Sequence, residues 1–341
     1  MKAIVVTQPG AVSFQELPTP EPGYGQARIR TSVCAICASD LTTIDGSDRI
    51  RYPAILGHEW CGIVDRVGPD GDATLLDRLC VAENVLADGS EIGFERPGGY
   101  GEYFITDARL IQVLPRDYPH PVAALIEPLA VGLRAMRRLR LQAPGDVLVF
   151  GDGPIGLIMV MLLQNAGVQE ITLVGGRHDR LSLAFDLGAR HILNYHDDGD
   201  LGQRILDLAR SGFPNVIEAS GSEDAIQTVL KVAAPQGHVL VLGDYGASRA
   251  QFRWNDLLHH EWELIGSNAS AGAWPEAVHL ATSGALPLER LVTHIVPPER
   301  YQEAFALARG RGNGVVKVAI DWLGTGVTER NAGGSSPEMR P

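Results

Sequence analysis

The chain has few cysteines, few aromatic residues and no long hydrophobic run. Four cysteines among 341 residues are too few for a disulfide scaffold. The most apolar stretch, residues 154–163, is about half as long as a membrane-spanning helix, which needs roughly 20 residues. The apolar run before Thr7 is also too short for a secretory signal. We therefore expect neither a membrane protein nor an exported one, and we predict a cytoplasmic location.

Positive charge is scarce as well, because 29 Lys and Arg residues stand against 41 Asp and Glu residues, which gives a formal net charge of −12. Nucleic acids and anionic membranes are bound by clustered Lys and Arg. The composition therefore favours a small-molecule partner over nucleic acid or a membrane. Single hydrophobic cores stop growing at roughly 250 to 300 residues, so a chain of this length predicts two domains.

The pattern of strands and helices changes near residue 124. Residues 1–123 carry short β-type runs separated by Pro and Gly clusters, which predicts a mostly β domain. In residues 124–268, short β-branched runs alternate with helix-length segments, as in a doubly wound parallel sheet. We expect residues 269–323 to return to the first domain. The tail, residues 324–341, is rich in Gly, Ser and polar residues and is predicted to be disordered.

A glycine-rich turn, GDGPIG, follows the first β-type run of the second domain. Gly151, Gly153 and Gly156 have the G-x-G-x-x-G spacing, and an apolar helix begins at Pro154 and Ile155. Glycines at these positions permit a tight turn, close approach of a pyrophosphate and close packing of helix on strand. The helix N-terminus adds N–H donors and partial positive charge. These five residues therefore predict a dinucleotide site.

The end of the next strand bears on the choice of coenzyme. An NAD-specific site usually has an acidic residue there, to bind the ribose hydroxyls. Here Gly176 occupies that position and Arg177 follows it. This favours NADP over NAD, because Arg177 can bind a 2′-phosphate, with His178 and Arg180 as further candidates for the same phosphate. Alternatively, Arg177 is a solvated loop cation and Asp179 reaches the ribose.

We expect cofactor contacts at the ends of later strands too. Ligands of open parallel sheets bind outside the carboxyl ends of the strands. Gly243, Gly266 and Ser267 follow two such predicted strands, and Ser220 follows a third. We assign these four residues to the cofactor site.

Three further segments precede the glycine-rich turn: CAICASD at 34–40, GHEW at 57–60 and IEPLAVG at 126–132. In this order they resemble the zinc-containing medium-chain dehydrogenase/reductase superfamily, and in particular its polyol, sorbitol and threonine dehydrogenase branch. The resemblance covers residues 1–323. It implies an α/β protein with a GroES-like, mostly β catalytic domain and a Rossmann doubly wound parallel sheet.

The resemblance also implies a catalytic zinc site. Cys37 and His58 match ligating residues of the family, and Glu59 and Glu127 match carboxylates that bind zinc directly or through water. Thiolate and imidazole suit zinc, and an exchangeable position leaves room for substrate. One thiolate and two carboxylates outweigh the charge of a dication, so we expect one glutamate to stand back from the metal or to exchange. Taken singly, each residue also has a structural interpretation, and their joint occurrence favours the metal.

The sequence departs from many relatives at a second zinc site. Those relatives carry a lobe with four closely spaced cysteines that holds a structural zinc. The corresponding segment here, from Cys80 to Tyr100, contains Cys80 alone. Four thiolate ligands cannot come from one cysteine, so we predict one zinc per chain.

The proton relay implied by the resemblance begins at Ser39, two residues after the ligating cysteine. Its hydroxyl can accept the proton of the alcohol, although Ser39 could instead cap a turn. Many relatives carry a histidine three positions further on, where this chain has Thr42. The group that receives the proton from Ser39 is therefore not identified by the sequence.

Together these features predict an NAD(P)-dependent zinc alcohol dehydrogenase. It would exchange a hydride between a secondary alcohol, such as a polyol, sugar or aminocyclitol, and NAD(P), giving a ketone or aldehyde. One alternative is a zinc-free NADPH quinone or enone reductase of the same superfamily. Another, from a different class, is a catalytically silent NADP-binding sensor. The resemblance also implies a homo-oligomer, either a dimer or a tetramer.

Overall fold

The computed structural model describes residues 1–141, 145–249, 251–310, 312 and 314–324. Within these ranges the strands are β1 (Lys2–Gln8), β2 (Ala11–Glu16), β3 (Gln26–Ala35), β4 (Glu59–Val67), β5 (Leu79–Ala82), β6 (Tyr103–Asp107), β7 (Ile111–Val113), β8 (Val147–Phe150), β9 (Ile171–Gly175), β10 (His191–Asn194), β11 (Phe213–Glu218), β12 (Ala233–Val241), β13 (Glu263–Gly266), β14 (Val292–Val296) and β15 (Lys317–Asp321). The helices are α1 (Ala38–Asp45), α2 (His120–Ala123), α3 (Ile126–Leu139), α4 (Pro154–Asn165), α5 (His178–Asp186), α6 (Leu201–Leu208), α7 (Glu223–Val232), α8 (Trp254–His260), α9 (Trp274–Thr282) and α10 (Tyr301–Gly310). The predicted disordered tail lies outside the described residues from position 325 onward.

The first sheet is mostly antiparallel and has seven strands. Its order is β14-β15-β3-β4-β5-β7, and the seventh strand, β6, pairs with residues 26–30 of β3. Strand β3 is ten residues long, is buried along most of its length and pairs with three neighbours, β15, β4 and β6. The β-rich first domain expected from the sequence is confirmed. Helix α1, which separates β3 from β4, was not predicted.

The second sheet has six parallel strands in the order β10-β9-β8-β11-β12-β13. This is the parallel sheet that the alternating β-branched runs and helix-length segments predicted, and every residue of β8 is buried, as expected for a parallel strand covered on both faces. The strand order reverses direction between β8 and β11. Ligands of open α/β sheets bind at such a switch point, beyond the carboxyl ends of the strands.

The C-terminal part of the chain packs against both domains. Helix α9 packs against α3, which in turn packs against α4 of the second sheet. Strand β14 then pairs with β15, and β15 pairs antiparallel with β3. The chain therefore rejoins the first sheet from Val292 onward, and this return brings Lys317 to the segment that follows β3.

Candidate active site

Three predicted metal ligands meet in the first domain. Cys37 precedes α1, His58 precedes β4 and Glu59 begins β4. One ligand atom from each lies within 4.8 Å of the other two, and no other group of three such side chains is found in the part of the chain that the structure describes. His58 and Glu59 are buried, whereas Cys37 is half-buried. We call these three residues the metal cluster.

Glu127 lies in the first turn of α3, buried beside the metal cluster. Burial raises the pKa of Glu127 to about 8, against the opposing effect of His58 and with a further contribution from the carboxylate of Glu59. Glu127 is not one of the three residues of the cluster. Its position is compatible with the expectation that one glutamate stands back from the metal.

Asp40 orients two members of the cluster and was missed by the sequence analysis. Its Oδ1 lies 3.0 Å from Nδ1 of His58, and its Oδ2 accepts hydrogen bonds from the Cys37 N–H and the Tyr100 hydroxyl, each at 2.9 Å. A carboxylate behind a histidine ligand fixes the ring and leaves the other nitrogen to the metal. Burial lowers the pKa of His58, but Asp40 outweighs this effect and raises that pKa well above its usual value. The sequence did carry a signal for this role, because Asp40 lies three residues after the predicted ligand Cys37.

Lys317 neutralises the charge of Glu59 and was also missed. Its Nζ lies 2.6 Å from Oε1 of Glu59 and 3.2 Å from the carbonyl oxygen of Ile36. Burial lowers the pKa of Lys317, but Glu59 outweighs it and the pKa is raised. The sequence carried no signal for this pair, because its members are 258 positions apart. The negative charge of the thiolate and two carboxylates around the metal, which the sequence predicted to exceed the charge of a dication, is therefore reduced by one unit.

The metal cluster fits a zinc ion. Sulfur, nitrogen and carboxylate oxygen are the donors that zinc takes in proteins. Oε2 of Glu59 is buried and has no hydrogen-bond partner among the described residues. Burying such an atom is costly, and a metal ion would satisfy it.

Ser39 lies on α1, half-buried, two residues after Cys37. Its carbonyl oxygen accepts a hydrogen bond from the Thr42 hydroxyl at 3.0 Å, so Thr42 is bonded within its own helix. A proton relay through the Ser39 hydroxyl stays a prediction.

Cys80 is buried in β5, and burial raises the pKa of its thiol to about 12. The segment that follows it is held by ion pairs instead of thiolates, since Arg49 pairs with Glu91 and Glu95 and Arg96 pairs with Asp88. A single zinc per chain stays a prediction.

The glycine-rich turn has the predicted geometry. Gly151 has a φ of +113°, and a Cβ on Gly156 would lie 1.8 Å from the Gly151 carbonyl oxygen. Gly153 caps α4, whose first residue is Pro154, followed by Ile155. A Cβ on Gly153 would meet no protein atom within 4 Å, so the open space beside it is available to a ligand. The turn therefore fits a pyrophosphate at the N-terminus of α4.

The residues after β9 are bound to the carboxylate of Asp152, for which the sequence predicted no role. Oδ2 of Asp152 accepts hydrogen bonds from the Gly176 N–H at 3.0 Å, from the Arg177 N–H at 2.9 Å and from Arg177 Nε at 3.2 Å. Arg177 Nη2 donates to Oδ1 of Asp152. Burial raises the pKa of Asp152, but Arg177 outweighs it and the pKa is lowered. Asp152 is the residue between the first two glycines of the turn.

Two other candidates face the C-terminal segment. Arg180 is buried, and its Nε donates to the Val315 carbonyl oxygen at 2.9 Å. Its expected contact with a 2′-phosphate is therefore replaced by a contact within the protein. Oδ2 of Asp179 accepts from the Gly314 N–H at 2.5 Å, whereas its Oδ1 is buried without a hydrogen-bond partner among the described residues. A contact between Asp179 and the ribose stays a prediction. His178 is exposed.

The remaining cofactor candidates surround the ends of β11, β12 and β13. Glu218 is fully buried, and its carboxylate accepts from the Ser220 N–H at 2.7 Å, from the Ser220 hydroxyl and from the Tyr245 hydroxyl at 2.6 Å. The Ser220 hydroxyl is therefore already bonded within the protein. A Cβ on Gly243 would lie 2.5 Å from Oε2 of Glu218, so this glycine permits the contact between two loops.

Gly266 and Ser267 end the last strand of the second sheet. The Gly266 carbonyl oxygen accepts from Arg138 Nε at 2.6 Å, and a Cβ on Gly266 would meet no protein atom within 4 Å. The Ser267 hydroxyl is buried and has no hydrogen-bond partner among the described residues. It is therefore available to a ligand.

Comparison with known proteins matches both domains. A family model for the alcohol dehydrogenase GroES-like domain matches residues 23–116, and a model for zinc-binding dehydrogenases matches residues 154–283. No helix among the described residues is long and apolar enough to span a membrane.

Individual relatives cover nearly the whole chain. An L-threonine 3-dehydrogenase of Anaeromyxobacter sp. (strain Fw109-5) is 28% identical over 94% of this chain and 99% of its own length. The sorbitol dehydrogenase of Ovis aries is 27% identical over 90% of this chain and 93% of its own length. The structure of an Escherichia coli CFT073 alcohol dehydrogenase complexed with NADH has a TM-score of 0.89 at 22% identity, covering 94% of this chain and 99% of that one.

Proposed function

Because this chain belongs to the zinc-containing medium-chain dehydrogenase/reductase superfamily, in its polyol and threonine dehydrogenase branch, we propose that it is a zinc-dependent alcohol dehydrogenase. Its substrate is a secondary alcohol of the polyol, sugar or aminocyclitol class, and the hydride passes to NAD(P), giving a ketone. The observation that carries this proposal is the metal cluster, with donor atoms of three residue types within 4.8 Å of one another.

The side chains of the site would have different roles in this reaction. Cys37 and His58 would hold the metal, with Glu59 or Glu127 as a further ligand. Zinc, when bound, supplies the Lewis acidity that lowers the pKa of an alcohol hydroxyl. Lys317 offsets the charge of Glu59. The Ser39 hydroxyl would take up the proton of the substrate as it passes its own proton on to a further acceptor.

We propose NADP as the preferred coenzyme. Gly176 has no side chain that would repel a 2′-phosphate, and Arg177, which carries a guanidinium, directly follows it in the chain. The free Ser267 hydroxyl supports a further contact with the coenzyme.

We also propose that the protein is a homo-oligomer. Strand β13 lies at the end of the second sheet, and large apolar side chains are exposed on it and on the neighbouring α8: Trp254, Leu258 and Leu264. A second copy of the chain would cover them. Light scattering at micromolar concentration should give the mass of a dimer or tetramer, and a monomeric mass would contradict this.

Zinc content and initial rates test the proposed function. One zinc per chain is expected, together with oxidation of at least one compound in a panel of polyols, sugars, aminocyclitols and simple alcohols. Cys37→Ser should lose both the zinc and the activity, whereas Cys80→Ala, which removes a buried thiol outside the metal cluster, should keep both.

Two other outcomes would contradict this function, and each would favour one of the alternatives. A protein without zinc, whose NADPH-dependent reduction of quinones or enones is unaffected by Cys37→Ser, would be a zinc-free reductase. A protein that binds zinc and NADP but transforms no compound of the panel would be a coenzyme-binding sensor.

A further inference from the structure

Asp152 and Arg177 come from neighbouring strands of the second sheet. Asp152 follows β8, Arg177 follows β9, and these two strands are parallel and hydrogen-bonded to each other. Both residues therefore lie at the carboxyl edge of the sheet. In dinucleotide-binding sheets this is where the ribose of the adenosine lies, and where a 2′-phosphate distinguishes NADP from NAD.

The local packing explains why a carboxylate reaches this edge from position 152 and not from position 176. A Cβ on Gly176 would lie 2.3 Å from the ring of Tyr195, so an acidic side chain there requires the tyrosine to move. A Cβ on Gly175 would lie 2.6 Å from the Cβ of Asp152. The two glycines thus leave space for Tyr195 on one side and for Asp152 on the other.

The Asp152 carboxylate is saturated and mostly shielded from water. It is 4% exposed and accepts hydrogen bonds from two backbone N–H groups and from two nitrogens of the Arg177 guanidinium. Two parallel N–H···O bonds between a guanidinium and a carboxylate form a strong, oriented pair. A 2′-phosphate that binds Arg177 must compete with this carboxylate and also lie close to its negative charge.

We propose that Asp152 is a specificity-determining residue that restrains the preference for NADP by pairing with Arg177. This inference rests on the proposed use of a nicotinamide dinucleotide. NADH carries a free 2′-hydroxyl and needs no cation at this position. Asp152 therefore weakens the binding of NADPH and leaves that of NADH nearly unchanged.

The test is Asp152→Asn, with dissociation constants for NADPH and NADH measured by fluorescence titration of the intact, zinc-loaded protein. The amide oxygen of asparagine can still accept the backbone N–H groups, but it carries no charge to hold Arg177. We expect the ratio of the dissociation constants, NADH over NADPH, to rise about tenfold, the scale of one charge-assisted contact. Asp152→Ser, which also removes the charge, should shift the ratio in the same direction and serves if the first variant does not fold.

Two controls isolate the pair. Asp186→Asn, on the neighbouring helix α5, removes an exposed carboxylate that pairs with Arg290 and not with Arg177, so the ratio should stay at the wild-type value. Arg177→Ala should reduce the preference for NADPH. Adding Asp152→Asn to Arg177→Ala should then raise the ratio by less than it does in the wild-type background, because the competition for Arg177 is gone and only the repulsion between Asp152 and the phosphate remains.

An unchanged ratio in folded Asp152→Asn would overturn the proposal. A fall in the ratio would overturn it too, because Asp152 would then hold Arg177 in a position that favours the phosphate. Failure of the wild-type protein to bind either coenzyme would instead refute the proposed function itself.

Discussion

The metal cluster and the glycine-rich turn are assembled in opposite ways. The turn is local, since its glycines lie within six consecutive residues that join β8 to α4. The metal cluster and its counter-ion draw on distant segments, with Cys37 before α1, Glu59 on β4 and Lys317 on β15. The geometry of the local site depends on backbone conformation, whereas the stability of the dispersed site depends on how its buried charges are balanced.

Both regions nevertheless contain a charge whose partner the sequence did not identify. Glu59 pairs with Lys317 in the metal cluster, and Arg177 pairs with Asp152 at the edge of the second sheet. The first pair is almost completely buried, while the Arg177 side chain is 24% exposed. Loss of one partner should therefore cost stability in the cluster and should alter ligand preference at the sheet edge.

The largest expected effect is that of Lys317→Met, which leaves the Glu59 carboxylate buried and unpaired. In protein freed of metal by a chelator, the free energy of unfolding in urea should fall by about 3 to 5 kcal/mol. Adding Glu59→Gln should recover most of the loss, because it removes the unpaired charge. Lys231→Met, at an exposed lysine of α7, is the control, and an equal effect of both lysine variants would show that the pair is not needed.

Gly156→Ala should break the local site. The added methyl group would overlap the Gly151 carbonyl oxygen, so we expect a loss of about 1 to 3 kcal/mol of stability together with loss of coenzyme binding. Gly153→Ala is the matched control, since its methyl group meets no protein atom. It should weaken coenzyme binding with little change in melting temperature. Equal destabilisation by both variants would contradict the view that Gly156 is needed for packing and Gly153 for contact with the ligand.

Asp40→Asn should have a smaller effect, which we expect to be clearest in the binding of the metal. An asparagine cannot accept every hydrogen bond now made by Asp40, so His58 loses its fixed orientation and zinc affinity should fall by about 10- to 100-fold. Competition with a chromophoric chelator measures this change. Asp45→Asn, on the same helix but exposed and paired with Arg309, should bind zinc like the wild type. Unchanged affinity in Asp40→Asn would show that the carboxylate does not support the ligand.

The second sheet was predicted more completely than the first domain. The parallel sheet is present where it was predicted, and α4 begins at the predicted Pro154, because apolar strands alternating with helices leave a strong local signal. Helices α1 and α10 and strand β14 were missed. Helix α1 is short and contains Thr42 and Thr43, whose β-branched side chains do not favour a helix, and it is stabilised by the capping contact of Asp40.

The sequence by itself determined the residue types that matter: the glycine spacing of the turn, and the thiol, imidazole and carboxylates of the metal site. These follow from local backbone geometry and from donor chemistry, both of which can be read along the chain. Only the tertiary structure decided which charges are neutralised, because Lys317 reaches Glu59, and Asp152 reaches Arg177, across contacts between separate strands. Burial sets the strength of those contacts, and burial is a property of the folded chain.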